Sequence, residues 1–173
     1  MEYTNFVLVE KDTGMKNNIE RFKQLKDNLS YQIDYTSNFN KSFRREFQSK
    51  YINNQITPDE FSILYALYFV PDISQSELAT LLFKGKAHIG KILNDMESRG
   101  LLTRTADTKN NMIIKRNELT EKGKQIFLQG HKEFEKIKIL AEKTFSNEEI
   151  AQFINFLKRY RELLTTFVDV KLK

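Results

Sequence analysis

Six of the chain's eight glycines and prolines fall between positions 58 and 123, as Pro58, Pro71, Gly85, Gly90, Gly100 and Gly123. Such residues are poorly tolerated inside helices, so the flanks are free to form long helices while the middle must turn repeatedly. In the N-terminal flank Phe39, Phe43, Phe47 and Tyr51 recur every four residues, preceded by Ile19, Phe22, Leu25 and Leu29 at spacings of three and four. This is the period of one helix face. In the C-terminal flank Phe127, Phe134, Ile137 and Ala141 mark a helix between Thr120 and Phe145. Ser146-Asn147-Glu148-Glu149 then has the form of a capping box and opens a stripe of Ile150, Phe153, Ile154, Leu157, Tyr160, Leu164 and Phe167. One long helix before the middle and two after it bury little as separate pieces, so they are expected to pack together.

The middle segment has finer grain. Thr57-Pro58-Asp59-Glu60 supplies an N-cap, a proline at the first helical position and a reciprocal Glu, and Phe61, Leu64, Tyr65 and Tyr68 follow as an apolar face. Pro71 stops that helix. Ser74-Gln75-Ser76-Glu77 is a second capping box, opening a short helix with Leu78, Leu81 and Leu82 predicted inward and Ala79 allowing close approach. Phe83 to Gly85 makes a turn. From Lys86 to Arg99 a third helix places Ile89, Ile92, Leu93 and Met96 on one face, and Gly100 ends it as a left-handed cap. Beyond Gly100 the residues read as a hairpin: a short strand Leu101 to Arg104, a polar tip Ala106 to Asn111, and a return strand Met112 to Leu119. The predicted fold is mainly α with a small two-stranded β wing, a winged helix-turn-helix between long flanking helices.

Charge is placed with equal bias. Of 28 Lys plus Arg and 23 Asp plus Glu, the stretch from Lys84 to Arg116 holds eight cations and three acids, a net of +5 that equals the net charge of the whole chain. A positive field confined to one segment suits phosphate binding, where each cation releases condensed counterions; an ordinary solvated surface would spread its charge more evenly. At 173 residues one structural unit is expected. The absence of cysteine excludes disulfides and thiolate metal sites. His88 and His131 are the only histidines and no clustered acids accompany them, so no metal site is expected, and His131 reads as an ordinary helix residue. No membrane span or signal peptide is indicated, and a soluble cytoplasmic protein is the expectation. Neither a Gly-x-Ser-x-Gly elbow nor a phosphate-cradling glycine loop occurs, so no enzymatic activity and no cofactor are predicted.

Three blocks, Glu77-Leu78-Ala79, Ile92 to Arg104 (Ile-Leu-Asn-Asp-Met-Glu-Ser-Arg-Gly-Leu-Leu-Thr-Arg) and Leu119-Thr120-Glu121-Lys122-Gly123, together resemble the MarR/SlyA family of transcriptional regulators. The resemblance runs from about residue 15 to 170. It implies a homodimer in which residues 15–55 and 121–173 interlock as dimerisation helices, residues 56–120 form the DNA-binding domain, and residues 1–14 are an extension without assigned role. It further implies binding to a palindromic operator on double-stranded DNA, usually as a repressor, with release by a small molecule held between the dimer helices and the winged domain. On that reading Lys86, His88 and Lys91 face base edges in the major groove and Gly90 lets the backbone approach. Lys84, Arg99, Arg104, Lys109, Lys115 and Arg116 are the phosphate and wing candidates. Strand alternation prevents Lys115 and Arg116 from both facing DNA. The family's wing commonly carries Asp-x-Arg, whereas here Asp107-Thr108-Lys109 lacks the arginine, leaving Lys109 as the candidate for the minor groove. Phe39, Phe43, Phe47 and Tyr65 are candidates for lining an effector crevice, against the plainer expectation that such regularly spaced aromatics form core and dimer seam. Two other readings stay open: an architectural winged-helix protein with little sequence preference, and a winged-helix module that binds an acidic protein.

Overall fold

The computed structural model describes residues 28–52, 54–109 and 112–171, and the side chains of residues 106–115 fall outside that description. Residues 1–27 are likewise outside it, and with them the extension 1–14 and Ile19, Phe22 and Leu25. Six helices and a hairpin are described in the order α1 (Leu29–Ile52), α2 (Pro58–Phe69), α3 (Gln75–Leu81), α4 (Lys86–Ser98), β1 (Leu102–Lys109), β2 (Met112–Leu119), α5 (Glu121–Thr144) and α6 (Asn147–Thr165). The chain divides into two compact units, 1–44 and 45–173. In the first, Asn28 accepts the Tyr31 backbone N–H at 3.1 Å and so opens α1, Tyr31 stacks on Tyr35, and Phe39 and Phe43 are exposed.

The core of the second unit is built from Phe47 and Ile52 of α1, Ile56, four aliphatic side chains of α2 (Ile63, Leu64, Ala66, Leu67), Leu78 and Ala79 of α3, Ile89, Leu93 and Met96 of α4, Leu101 and Leu102, and Ile126 and Phe127 of α5. Its helices start where the capping chemistry says they should. Thr57 and Ser74 each accept the N3 backbone N–H while Glu60 and Glu77 return to the cap residue's own N–H, and Ser146 repeats the arrangement with Glu149. α4 stops in a Schellman pair, with the Leu101 N–H on the Met96 carbonyl and the Gly100 N–H on that of Glu97, both at 2.9 Å; Gly100 takes φ 68°.

Three expectations change. Tyr65 and Tyr68 are exposed, because α2 is buried around most of its circumference and the tyrosines occupy the remaining strip. Leu81 is also exposed: at about 100° per residue, Leu78, Ala79 and Leu82 share a narrow arc that leaves Leu81 outside it. The wing is longer than the pattern suggested, since β1 runs through Lys109, where a polar tip beginning at Ala106 was expected. Antiparallel pairing from Leu102↔Leu119 to Lys109↔Met112 leaves only residues 110 and 111 between the strands. Thr108 pairs with Ile113 and Asp107 with Ile114, and β-branched residues at such positions favour the ladder over a loop.

Candidate nucleic-acid interface

α4 buries Ile89, Leu93 and Met96, and the helical period then sets Ala87, Lys91, Asn94 and Ser98 on the side away from the core. All four are exposed, as are Lys86 and His88. The Lys86 and Lys91 side chains enter no ion pair or hydrogen bond among the described residues. Two uncommitted, exposed cations on a well-anchored helix, Lys86 at its first position and Lys91 on its outer face, are suited to an anionic partner.

The other cations of the basic segment whose side chains are described are already engaged. Lys84 pairs with Asp59 of α2 at 2.9 Å, and His88 Nε2 lies 3.9 Å from the same carboxylate. Arg99 binds the buried carboxylate of Glu60, reaches the Gln55 carbonyl at 3.3 Å, and faces Asp95 at 3.1 Å. Since Glu60 also caps α2, the end of α4 is tied to the start of α2 through one carboxylate. Lys122 donates to the Arg99 carbonyl and Thr120 to that of Gly100, adding α5 to the same junction. Arg116 reaches Asp72 at 2.9 Å.

Arg104 is held most completely. One guanidinium nitrogen donates to Asn94 Oδ1 on α4 and the other to Gln75 Oε1 on α3 at 3.1 Å, while Gln75 Nε2 donates to the Lys86 carbonyl at 2.9 Å. Gly90 makes room for this: a Cβ there would stand 2.7 Å from Gln75 Nε2. The expected close approach at Gly90 is thus made by Gln75 of the same chain. Across the ladder from Arg104 lies Asn117, which is buried with both amide atoms unpaired among the described residues, as is Arg104 Nε.

Sequence reasoning places Asn94 off the apolar face of α4 without giving it a role, and passes over Ala87 and Gln75. The helical projection of α4 marks Ala87 as outward too; Gln75 carries no sequence signal, because its role comes from the tertiary packing of α3 on α4. The side chains of Lys109 and Lys115 lie outside the described set, although their backbones sit in β1 and β2.

Among the effector-crevice candidates, Phe47 is buried and packs against Phe134 with the rings tilted and their centroids 4.1 Å apart. Contacts continue through Phe61 and Phe127 to Tyr65, so that Phe47 and Tyr65 end one row of aromatic rings. His131 lies flat on Phe127 and edge-on to Tyr65 and Phe69, which makes it part of this aromatic group and not merely a solvated helix residue. Phe39 and Phe43 belong to the first unit. Among the described residues no helix is long and apolar enough to cross a membrane.

Comparison with known proteins agrees with this arrangement. Residues 54–110, which span α2 to the end of β1, match the MarR family. No curated protein matches the chain in sequence. Among solved structures, it is similar to the S. aureus MepR–DNA complex at 20% identity, with 80% of this chain and 98% of that one covered and a TM-score of 0.68. It is also similar to a MarR family protein from Bacillus stearothermophilus at 25% identity, covering 79% and 93% with a TM-score of 0.56. A third similar structure is the transcriptional repressor CouR bound to p-coumaroyl-CoA, at 22% identity, covering 81% and 96% with a TM-score of 0.60. The segment 54–110 is thus similar to the MarR family, and the described fold is the one these solved structures share.

Proposed function

We propose that the protein is a cytoplasmic repressor that binds a palindromic operator as a homodimer and is released by a small apolar or aromatic effector. The observation that carries the DNA reading is the pair of uncommitted, exposed lysines, Lys86 at the start of α4 and Lys91 on its outer face, on a helix whose two ends are fixed to α2, α3 and α5. His88 and Asn94 complete the set directed at base edges. Lys84, Lys109 and one of the alternating pair Lys115 and Arg116 supply phosphate contacts, with Lys84 or Arg116 doing so by exchanging an internal carboxylate for DNA. Arg99 and Arg104 hold the scaffold.

Dimerisation through residues 15–55 and 121–173 is supported by α6, which buries none of its nineteen residues although Phe153, Ile154, Leu163 and Leu164 lie along it. Exposed apolar surface on that scale marks an interaction site. The effector reading draws on the aromatic row from Phe47 to Tyr65 and on CouR, a transcriptional repressor solved bound to p-coumaroyl-CoA.

The test is an unbiased selection of duplex DNA by the full chain. A regulator enriches a two-fold symmetric sequence, binds it about 10³-fold or more above random duplex at physiological salt, and takes one dimer per site. Enrichment of no sequence, with equal affinity for every duplex, would instead leave an architectural DNA coat. If Lys86→Ala with Lys91→Ala left affinity unchanged, α4 would not be the reading element.

A further inference from the structure

We infer that Arg104 is a positioning residue, not a phosphate ligand, and that by orienting the Asn94 amide it makes Asn94 a donor-only reader of base edges. The inference rests on the proposed sequence-specific DNA binding and goes beyond it by assigning how one position of the site is chosen.

The amide orientations follow from hydrogen-bond chemistry. A guanidinium has donors and no acceptor, so the atom of Asn94 that meets Arg104 must be Oδ1, and the atom of Gln75 that meets it must be Oε1. Gln75 is then fixed from its other end, because Nε2 can only donate, and it does so to the Lys86 carbonyl. The fork of Arg104 therefore bridges α3, α4 and β1 through two acceptors at once, and a lysine could not reproduce that geometry with its single charged nitrogen. With Oδ1 occupied, Asn94 turns its Nδ2 donors outward from the exposed side of α4. An unconstrained Asn pairs with adenine by offering one donor and one acceptor together; a donor-only Asn instead suits the major-groove acceptors of guanine or the O4 of thymine. Arg104 is half-buried and both its terminal nitrogens are used, which leaves it little to offer a phosphate.

The experiment uses the duplex that the full-length wild-type chain enriches from random DNA, with Arg104→Ala, Arg104→Lys, Gln75→Ala and Asn94→Ala compared against it. Asn94→Ala should erase the preference at one symmetric pair of positions occupied by G or T on the contacted strand. Arg104→Ala should lower affinity about tenfold with the slope of log K against log salt unchanged, and should admit adenine at that position. Gln75→Ala should shift the same position while leaving Arg104 in place, and Arg104→Lys should fail to rescue. A slope reduced by about 0.9, with Arg104→Lys restoring most of the affinity, would make Arg104 a phosphate ligand and overturn the assignment. An unchanged preference in Asn94→Ala would overturn the donor-only reading. Should wild-type protein enrich no sequence, the DNA reading itself fails. The bridge is then judged in the free protein by urea melts of Gln75→Ala, Arg104→Ala and the double variant. Strictly additive losses would sink it, and a double variant no worse than Arg104→Ala would sustain it.

Discussion

Phe83 closes α3 in the left-handed region, at φ 51°, with its ring two-thirds exposed at 66%. It occupies the position that Gly100 fills at the end of α4: the Lys84 N–H meets the Ala79 carbonyl at 2.9 Å and the Phe83 N–H that of Thr80 at 3.2 Å. A non-glycine residue there costs about 1–2 kcal/mol that the exposed ring barely offsets. Phe83→Gly should therefore raise stability by about 0.5–1 kcal/mol, net of the glycine's extra freedom when unfolded, whereas Phe83→Ala should bring no gain. Urea midpoints check both. At Arg99 the sign reverses. Its removal leaves the Glu60 carboxylate, 5% exposed in its side chain, without its cation. Arg99→Ala should cost about 2–4 kcal/mol, and Glu60→Gln less, since its one amide oxygen keeps one of the two donors, the Thr57 N–H or Arg99, that the two carboxylate oxygens accept. Equal losses from the two variants would mean that the charge on Glu60 is immaterial.

At the scale of elements, the junction of α4, β1 and α5 is set by Gly123, where a Cβ would collide with the Leu101 carbonyl oxygen. Backbone cannot step aside as a side-chain tip can, so Gly123→Ala should destabilise by at least about 2–3 kcal/mol. Gly90→Ala meets only the movable end of Gln75 and should cost far less, which paired thermal melts would show. A smaller pH effect belongs to the start of α6. Hydrogen bonds from its own backbone N–H and from Ser146 hold the Glu148 carboxyl below the usual carboxylate range. A lowered folded value means that this contribution is complete above the ordinary carboxylate pKa and is lost as pH falls through the lowered one. Glu148→Gln should flatten that part of the acid limb in a pH series of melts. These elements were legible in the sequence wherever chemistry is local: three capping boxes, the proline at the first turn of α2 and the glycine cap of α4 all stand where their residues predict. What was not legible depends on distance in space. The bridge from Gln75 through Arg104 to Asn94 joins residues up to 29 apart, and the engagement of Arg99 by Glu60 joins residues 39 apart; no spacing rule connects either. A count of cations therefore marked a basic segment but could not separate Lys86 and Lys91, which are free of internal partners among the described residues, from Arg99 and Arg104, which are engaged within the chain.

For the whole molecule, the proposed function turns on how much DNA affinity would come from two winged helices acting as one body. A single recognition helix with a few cations offers weak, salt-sensitive binding, whereas linking two of them makes the second contact intramolecular and can raise overall affinity by about 10²–10⁴ without any new contact. The exposed stripe of α6 is the place to break that link, because none of its residues is buried within the chain. Phe153→Glu combined with Leu164→Glu should leave the core of residues 45–173 intact, since neither side chain belongs to it. Sedimentation should show the variant as a monomer, with far-ultraviolet dichroism preserved. On the symmetric duplex its affinity should fall by about 10² or more, its salt slope should drop to about half, and it should bind a half-site nearly as well as the full palindrome. A variant that stays dimeric would move the seam away from α6. A monomer that keeps full affinity and the full salt slope would show instead that one winged helix suffices, and the two-fold symmetry proposed for the operator would lose its physical basis.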